Sequence, residues 1–145
     1  MEIILDGSVL ADIFIKSQVR HEIGSRLANY IAKNKIQVTI PMHAILEIKG
    51  AIDNERLKPG CREVSQVFTE EYPLEVKTIP IDQKFLKEYL DLSIPYIKAG
   101  DLIYILIAKK HKCPLITEDK MQARIAKSVG IQTYTIKEFL NRHSL

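Results

Sequence analysis

The chain begins Met1-Glu-Ile-Ile-Leu-Asp6-Gly-Ser8, a short apolar run that does not alternate and that stops at a carboxylate followed by glycine and a hydroxyl. A strand in which Ile3, Ile4 and Leu5 are all apolar suits the middle of a parallel sheet covered on both faces. Parallel neighbours need crossover helices, and helical spacing follows at once, from Ser8 to Ile15. A strand that runs straight into a helix leaves Asp6 at the carboxyl edge of the sheet, where open α/β folds place their ligands.

The alternation continues along the chain. Val19, Ile23, Leu27, Tyr30 and Ile31 predict an amphipathic helix over about 19–34, with Arg20, Glu22, Asn29 and Lys33 outward. Residues 36–40 read as a second strand, closed by Pro41, and about 42–56 as a helix with Ile45, Ile48 and Ile52 on one side. Lys58-Pro-Gly60 marks a turn, and Val64, Val67 and Phe68 a short helix before Pro73. A third strand is expected over 74–79, then a helix capped by Asp82 that buries Phe85, Leu86, Tyr89 and Leu90. After a loop over 93–99, Gly100-Asp101 opens a helix whose body, Leu102 to Ala108, is apolar nearly all round and therefore central. Strands over 114–117 and 131–135 enclose a helix over about 119–129 with Met121, Ile125 and Val129 inward, and a last helix spans about 136–142.

Strands separated by helices imply a three-layer α/β/α sandwich with right-handed crossovers. The 145 residues, with no repeat or linker, are expected to form one domain, 1–145. The longest apolar run falls far short of the roughly 20 residues of a membrane span, and no charged leader precedes an apolar segment, so a soluble cytoplasmic protein without membrane attachment is expected. Cys61 and Cys113 form no C-x-x-C and the four histidines show no zinc-binding spacing, so zinc is not implied and both read as buried thiols. The formal charge of +3 is compatible with a polyanionic partner and equally with none.

Three later acids, Glu47, Asp101 and Asp119, reach the same sheet edge as Asp6 if the strand order is 3-2-1-4-5, with the switch point between the first and fourth strands. Each of three acids also has a plain structural use. Asp119 begins an Asp-x-x-Gln capping pattern, Asp101 sits in a first helical turn, and Asp6 can cap the helix after it. Glu47 breaks that pattern: it lies mid-helix on a stripe with His43, Ala44, Gly50 and Ala51, where neither capping nor an evident basic partner accounts for it. Its remaining structural use is a solvated surface position.

Carboxylates gathered in one pocket repel, by about 4 kcal/mol for two charges ~4 Å apart at an effective dielectric of 20. Something positive must sit among them, and a hard cation such as Mg²⁺ or Mn²⁺ suits a set of oxygen ligands. Ser8 and Thr117 offer hydroxyls to orient the carboxylates. His43, one turn from Glu47, reads as a satisfied histidine because magnesium prefers oxygen. Lys109, Lys110, Lys112, Lys120, Arg124 and Lys127 form either a phosphate-tracking face or the solvated ends of helices.

These residues resemble the PIN-domain nucleases, and among them the VapC-type toxins of prokaryotic toxin-antitoxin pairs, along the whole chain. The family's first aspartate, before a small residue and Ser or Asn, is similar to Asp6-Gly7-Ser8; its second acid matches Glu47 in Ala-Ile-Leu-Glu-Ile. Its third, in Asp-x-x-Ile-x-x-x-Ala, resembles Asp101 to Ala108, and its fourth, in Thr-x-Asp after Pro-Leu-Ile, resembles Thr117-Glu-Asp119. Gly7 stands where Thr, Ala or Ser is commoner, and Gln122 and Ala123 stand where an aromatic often follows the fourth acid; an additional acid sometimes found there is absent, with Glu118 the nearby substitute.

The resemblance implies sheet order 3-2-1-4-5, RNA hydrolysis with Mg²⁺ or Mn²⁺ held by Asp6, Glu47, Asp101 and Asp119, a homodimer, and a cognate antitoxin. The rival of another class is a catalytically silent PIN-like domain that binds RNA or a protein partner. A receiver-type phospho-acceptor would need paired acids after the first strand and an aspartate ending the third, where Ile79-Pro80 stands. A haloacid-type phosphatase would need an aspartate in place of Ser8.

Overall fold

The computed structural model describes residues 1–15, 17–55, 74 and 76–143, with 52–55 as backbone only. A five-stranded parallel sheet has the order β3-β2-β1-β4-β5. Its strands are β1 (Glu2–Leu5), β2 (Gln37–Pro41), β3 (Val76–Ile79), β4 (Leu115–Ile116) and β5 (Thr133–Tyr134). The helices are α1 (Gly7–Phe14), α2 (His21–Lys33), α3 (His43–Glu55), α4 (Gln83–Tyr89), α5 (Ala99–His111), α6 (Lys120–Ser128) and α7 (Ile136–His143). The turn at Lys58-Pro-Gly60, the short helix before Pro73 and Cys61 lie outside the described residues.

β1 is central, pairing Ile3 with Val38 on one side and Leu5 with Ile116 on the other. Ile3, Ile4 and Leu5 are wholly buried, as a strand covered on both faces requires. Helices α1 and α2 pack together, with α3 against α1 and α7 against α2, while α5 packs on β1, β2 and β4 and contacts α4 and α6. The chain reverses direction across the sheet between β1 and β4, and the backbone N–H of Asp6 donates to Ile116 O at 3.2 Å there. The end of β1 is thus stitched to the end of β4 at the switch point.

Three stretches differ from the periodicity reading. Val19 is 99% exposed, because the chain turns before α2 starts at His21. In α4, Phe85 and Tyr89 are buried with rings stacked 4.3 Å apart, whereas Leu86 and Leu90 face outward. A short helix resting on one neighbour has only a narrow inward stripe. In α6, Met121 is 56% exposed and Gln122 fully buried. The side-chain amide of Gln122 donates to the Asp101 carbonyl at 3.1 Å, and that polar tie rotates the helix by one position. Cys113 is buried and carries no disulfide.

Candidate active site

Asp6 sits where β1 gives way to α1, and only 4% of it is exposed. Its Oδ1 accepts from the Ser8 hydroxyl at 2.7 Å and from the Val9 backbone N–H at 3.1 Å, which makes it the N-cap of α1. Its Oδ2 accepts from the Thr117 hydroxyl at 2.6 Å. A carboxylate has about four lone-pair directions, so three donors leave roughly one on Oδ2. Burial pushes the Asp6 carboxyl up to about 6; the bonds from Thr117, Ser8 and Val9 hold it down, and the charge of Asp119 raises it further.

Thr117 follows β4 and does two jobs at once. Its buried hydroxyl donates to Asp6 and accepts from the Asp119 backbone N–H at 3.0 Å, so one side chain fixes two acids from opposite ends of the chain. Ser8 likewise accepts from the Glu118 N–H at 3.3 Å while donating to Asp6. Asp119 caps α6, its Oδ1 accepting from the Gln122 N–H at 2.9 Å. The capping role expected for it and a place beside Asp6 are therefore held by one residue.

Asp101 lies in the first turn of α5, half-buried. Burial raises its carboxyl, the charge of Asp119 raises it more, and Lys98 and His43 pull it down. Glu47 is about one turn into α3, with 42% of its side chain exposed. Burial raises its carboxyl as well, with His43 opposing and Asp101 reinforcing that shift. The four acids thus feel one another in pairs: Asp6 with Asp119, Asp119 with Asp101, and Asp101 with Glu47.

His43 is the basic partner of Glu47 that residue types alone did not single out. Its Nε2 lies 2.8 Å from Glu47 Oε1 and 3.1 Å from the Gly100 carbonyl, so it ties α3 to the start of α5. A carbonyl can only accept, which places the proton on Nε2. His43 is thus partnered at Nε2 by the Gly100 carbonyl and the acid one turn away, while its buried Nδ1 has no hydrogen-bond partner among the described residues. The buried Tyr104 hydroxyl reaches Glu47 Oε1 at 3.5 Å, and burial together with Glu47 raises its ionisation well above the ordinary phenol range. Tyr104 appears in the sequence only as one of a run of apolar-helix residues, and nothing there marks it out.

The donor set is oxygen-only apart from His43, and its mutual repulsion is what a hard dication would relieve. As the side chains stand, no three His, Cys, Asp or Glu groups among the described residues close on one point tightly enough to hold an ion. Glu47 rests against His43 and over Gly7, and a glutamate has the torsional freedom to reorient. By donor chemistry the residues fit Mg²⁺ or Mn²⁺. No helix among the described residues is long and apolar enough to cross a membrane.

Comparison with known proteins agrees with this architecture. Among curated proteins no sequence matches significantly. The chain is similar in structure to VapBC2 from Rickettsia felis, solved bound to a DNA fragment from their promoter, with TM-score 0.62, 15% identity, and coverage of 92% of this chain and 97% of that one. A protein from Pyrobaculum aerophilum matches with TM-score 0.62 at 17% identity over 98% of this chain and 88% of its own. FitAcB from Neisseria gonorrhoeae matches with TM-score 0.55 at 13% identity over 93% and 98% of the two chains. At such identities the likeness is one of fold. The model of the PIN domain matches residues 3–128, and the chain belongs to the PIN-domain family.

Proposed function

We propose that the protein is a divalent-metal-dependent endoribonuclease, the toxin of a toxin-antitoxin pair. The observation that carries this reading is Asp6: a nearly buried carboxylate at the switch point, held by three donors with roughly one lone pair left, its carboxyl raised by burial and further by the charge of Asp119. Asp6, Glu47, Asp101 and Asp119 would hold Mg²⁺ or Mn²⁺ directly or through water, with Ser8 and Thr117 as their supports. When bound, such an ion activates a water for in-line attack on the phosphodiester and steadies charge on the phosphoryl oxygens.

The chain's own residues supply orientation. Thr117 and Ser8 fix the plane of the Asp6 carboxylate, and the capping bond from Gln122 fixes Asp119. Tyr104 and His43 hold Glu47 near the site while it is unengaged. No side-chain nucleophile is needed.

Likeness to VapBC2 and FitAcB supports an antitoxin partner, and a homodimer and a cytoplasmic setting belong to the same proposal. The turn of Glu47 onto His43 favours a second reading, a catalytically silent PIN-like domain that binds RNA or a protein partner. Cleavage of an RNA panel by the wild type and by Asp6→Asn, with Mn²⁺ and with EDTA, separates the two. Cleavage that needs both metal and Asp6 supports the nuclease; equal cleavage by both proteins, or none by either, removes it.

A further inference from the structure

The six cations singled out in the sequence fall into two groups in space. Lys109 and Lys112 line a hollow at the far end of α5, where the Lys109 ammonium donates to the Val129 carbonyl, and Lys110 pairs with Asp91 at 3.5 Å. Lys120, Arg124 and Lys127 instead lie along the exposed side of α6, four and three residues apart, and so share one face. Among the described residues none of these three makes an ion pair. They line a groove of about 380 Å³ together with Thr117 and Asp119 of the candidate site and with Tyr134, Thr135 and Glu138.

The groove does not stop there. A second open hollow, of about 540 Å³, shares Lys127, Tyr134 and Glu138 with it and adds Asn141 and Arg142 of α7. Arg142 lies over the Tyr134 ring, its guanidinium carbon 5.9 Å from the ring centroid. Of the three acids that line the groove, Asp119 belongs to the candidate active site, and the other two are held by backbone donors: Glu118 accepts from the Ile136 N–H at 2.9 Å and Glu138 from the Thr135 N–H at 2.8 Å, both at the amino end of α7. Their charge is offset there by the helix dipole.

We propose that this groove, resting on the nuclease reading above, carries the backbone of single-stranded RNA on one side of the scissile phosphodiester. Lys120, Arg124 and Lys127 contact successive phosphates: the helix rises about 6 Å between the first two and about 4.5 Å between the last two. Tyr134 and Arg142 offer a base a stacking surface beyond them. The occupant is single-stranded because only an unpaired base can stack on a ring that lines the groove, whereas a duplex keeps its bases stacked inside. Continuity with Asp119 makes the groove a track into the candidate active site rather than a separate surface.

The test measures binding apart from cleavage. The full chain carrying Asp6→Asn is titrated, at fixed Mg²⁺, into a fluorescein-labelled unstructured RNA of about ten nucleotides, a length within the range for single-strand grooves. Adding Arg124→Ala and Lys127→Ala should weaken binding about tenfold or more and flatten the log–log salt slope by about 1.4, at ~0.7 per lost phosphate contact. Lys33→Ala with Lys84→Ala, placed elsewhere on the surface, should change neither. Affinity and slope equal to those of the parent, no binding by the parent, or a preference for blunt duplex RNA would each overturn the groove. Wild-type cleavage with Mn²⁺ is scored separately. Cleavage without groove-dependent binding leaves the nuclease and removes the track, and the converse leaves the track and removes the nuclease.

Discussion

A β-carbon placed on Gly7 would collide with Oε2 of Glu47, so the glycine at the start of α1 is what lets the second acid lie against the first one's helix. The atom in the way ends a flexible side chain, and Glu47 can yield without moving any backbone. Gly7→Ala is therefore expected to shift Tm by less than about 4 °C, equivalent to about 1 kcal/mol, while changing the metal-dependent cleavage rate by tenfold or more. A scanning calorimeter and a cleavage assay on the same preparation check both halves. An unchanged rate would mean that where Glu47 rests has no bearing on activity.

Thr117→Val keeps the shape and removes the hydroxyl that serves Asp6 and Asp119 together. Leaving a buried carboxylate oxygen and a backbone N–H without their partner is expected to cost about 1–3 kcal/mol in denaturant titration. Asp6 also loses the strongest bond holding its ionisation down, so the rising limb of the pH–rate profile should move to higher pH. Thr117→Ser, which restores the donor, should bring that limb back.

Stability should depend on pH in a direction set by Asp6. Burial raises its folded pKa to about 6 from 3.8, so the stability it contributes is complete below about pH 3.8 and is lost as pH climbs through about 6. Glu47 and Asp101, also raised, act in the same direction. Metal-free wild type should lose on the order of 2–3 kcal/mol relative to Asp6→Asn between about pH 4 and pH 7, and Mn²⁺ should restore it at the upper end. Urea midpoints for both proteins across that range, with and without Mn²⁺, give the comparison. A wild-type advantage that grows with pH before metal is added would contradict it.

Arg20 reaches back from the turn before α2 to Asp12 of α1, Nε to Oδ2 at 2.8 Å, and Asp12 is only 1% exposed. The other Asp12 oxygen has no hydrogen-bond partner, so the carboxylate depends on that guanidinium. Arg20→Ala should destabilise by about 2–3 kcal/mol, at the lower end because Arg20 is half-exposed, and Asp12→Asn added to it should recover part of the loss. Urea midpoints with constant m-values report the cycle.

Much of this was legible in residue order. The non-alternating Ile3 to Leu5 and the central helix from Leu102 pointed to a parallel sheet covered on both faces, and the order 3-2-1-4-5 that would bring the acids together, implied by the family resemblance, is the order the sheet has. Asp119 and Asp82 were legible as caps because capping is local. What escaped was set by contacts between distant elements. The buried Gln122 is fixed by the Asp101 carbonyl on another helix, and hydrophobic spacing gave Met121 its place instead. The Asp12–Arg20 pair closes a turn whose last residues read as the start of the helix over about 19–34, and one acceptor facing the His43 proton is a carbonyl at position 100. Periodicity gives a stripe its existence, but tertiary hydrogen bonds set its phase.

Whether one divalent ion is shared by acids drawn from four separate segments of the chain is tested most directly by Mn²⁺ titration calorimetry on the wild type, Asp6→Asn, Glu47→Gln, Asp101→Asn and Asp119→Asn. The expected result is a Mn²⁺ isotherm for the wild type and at least tenfold weaker binding in every variant. Wild-type affinity retained by any two of the four would contradict a shared site.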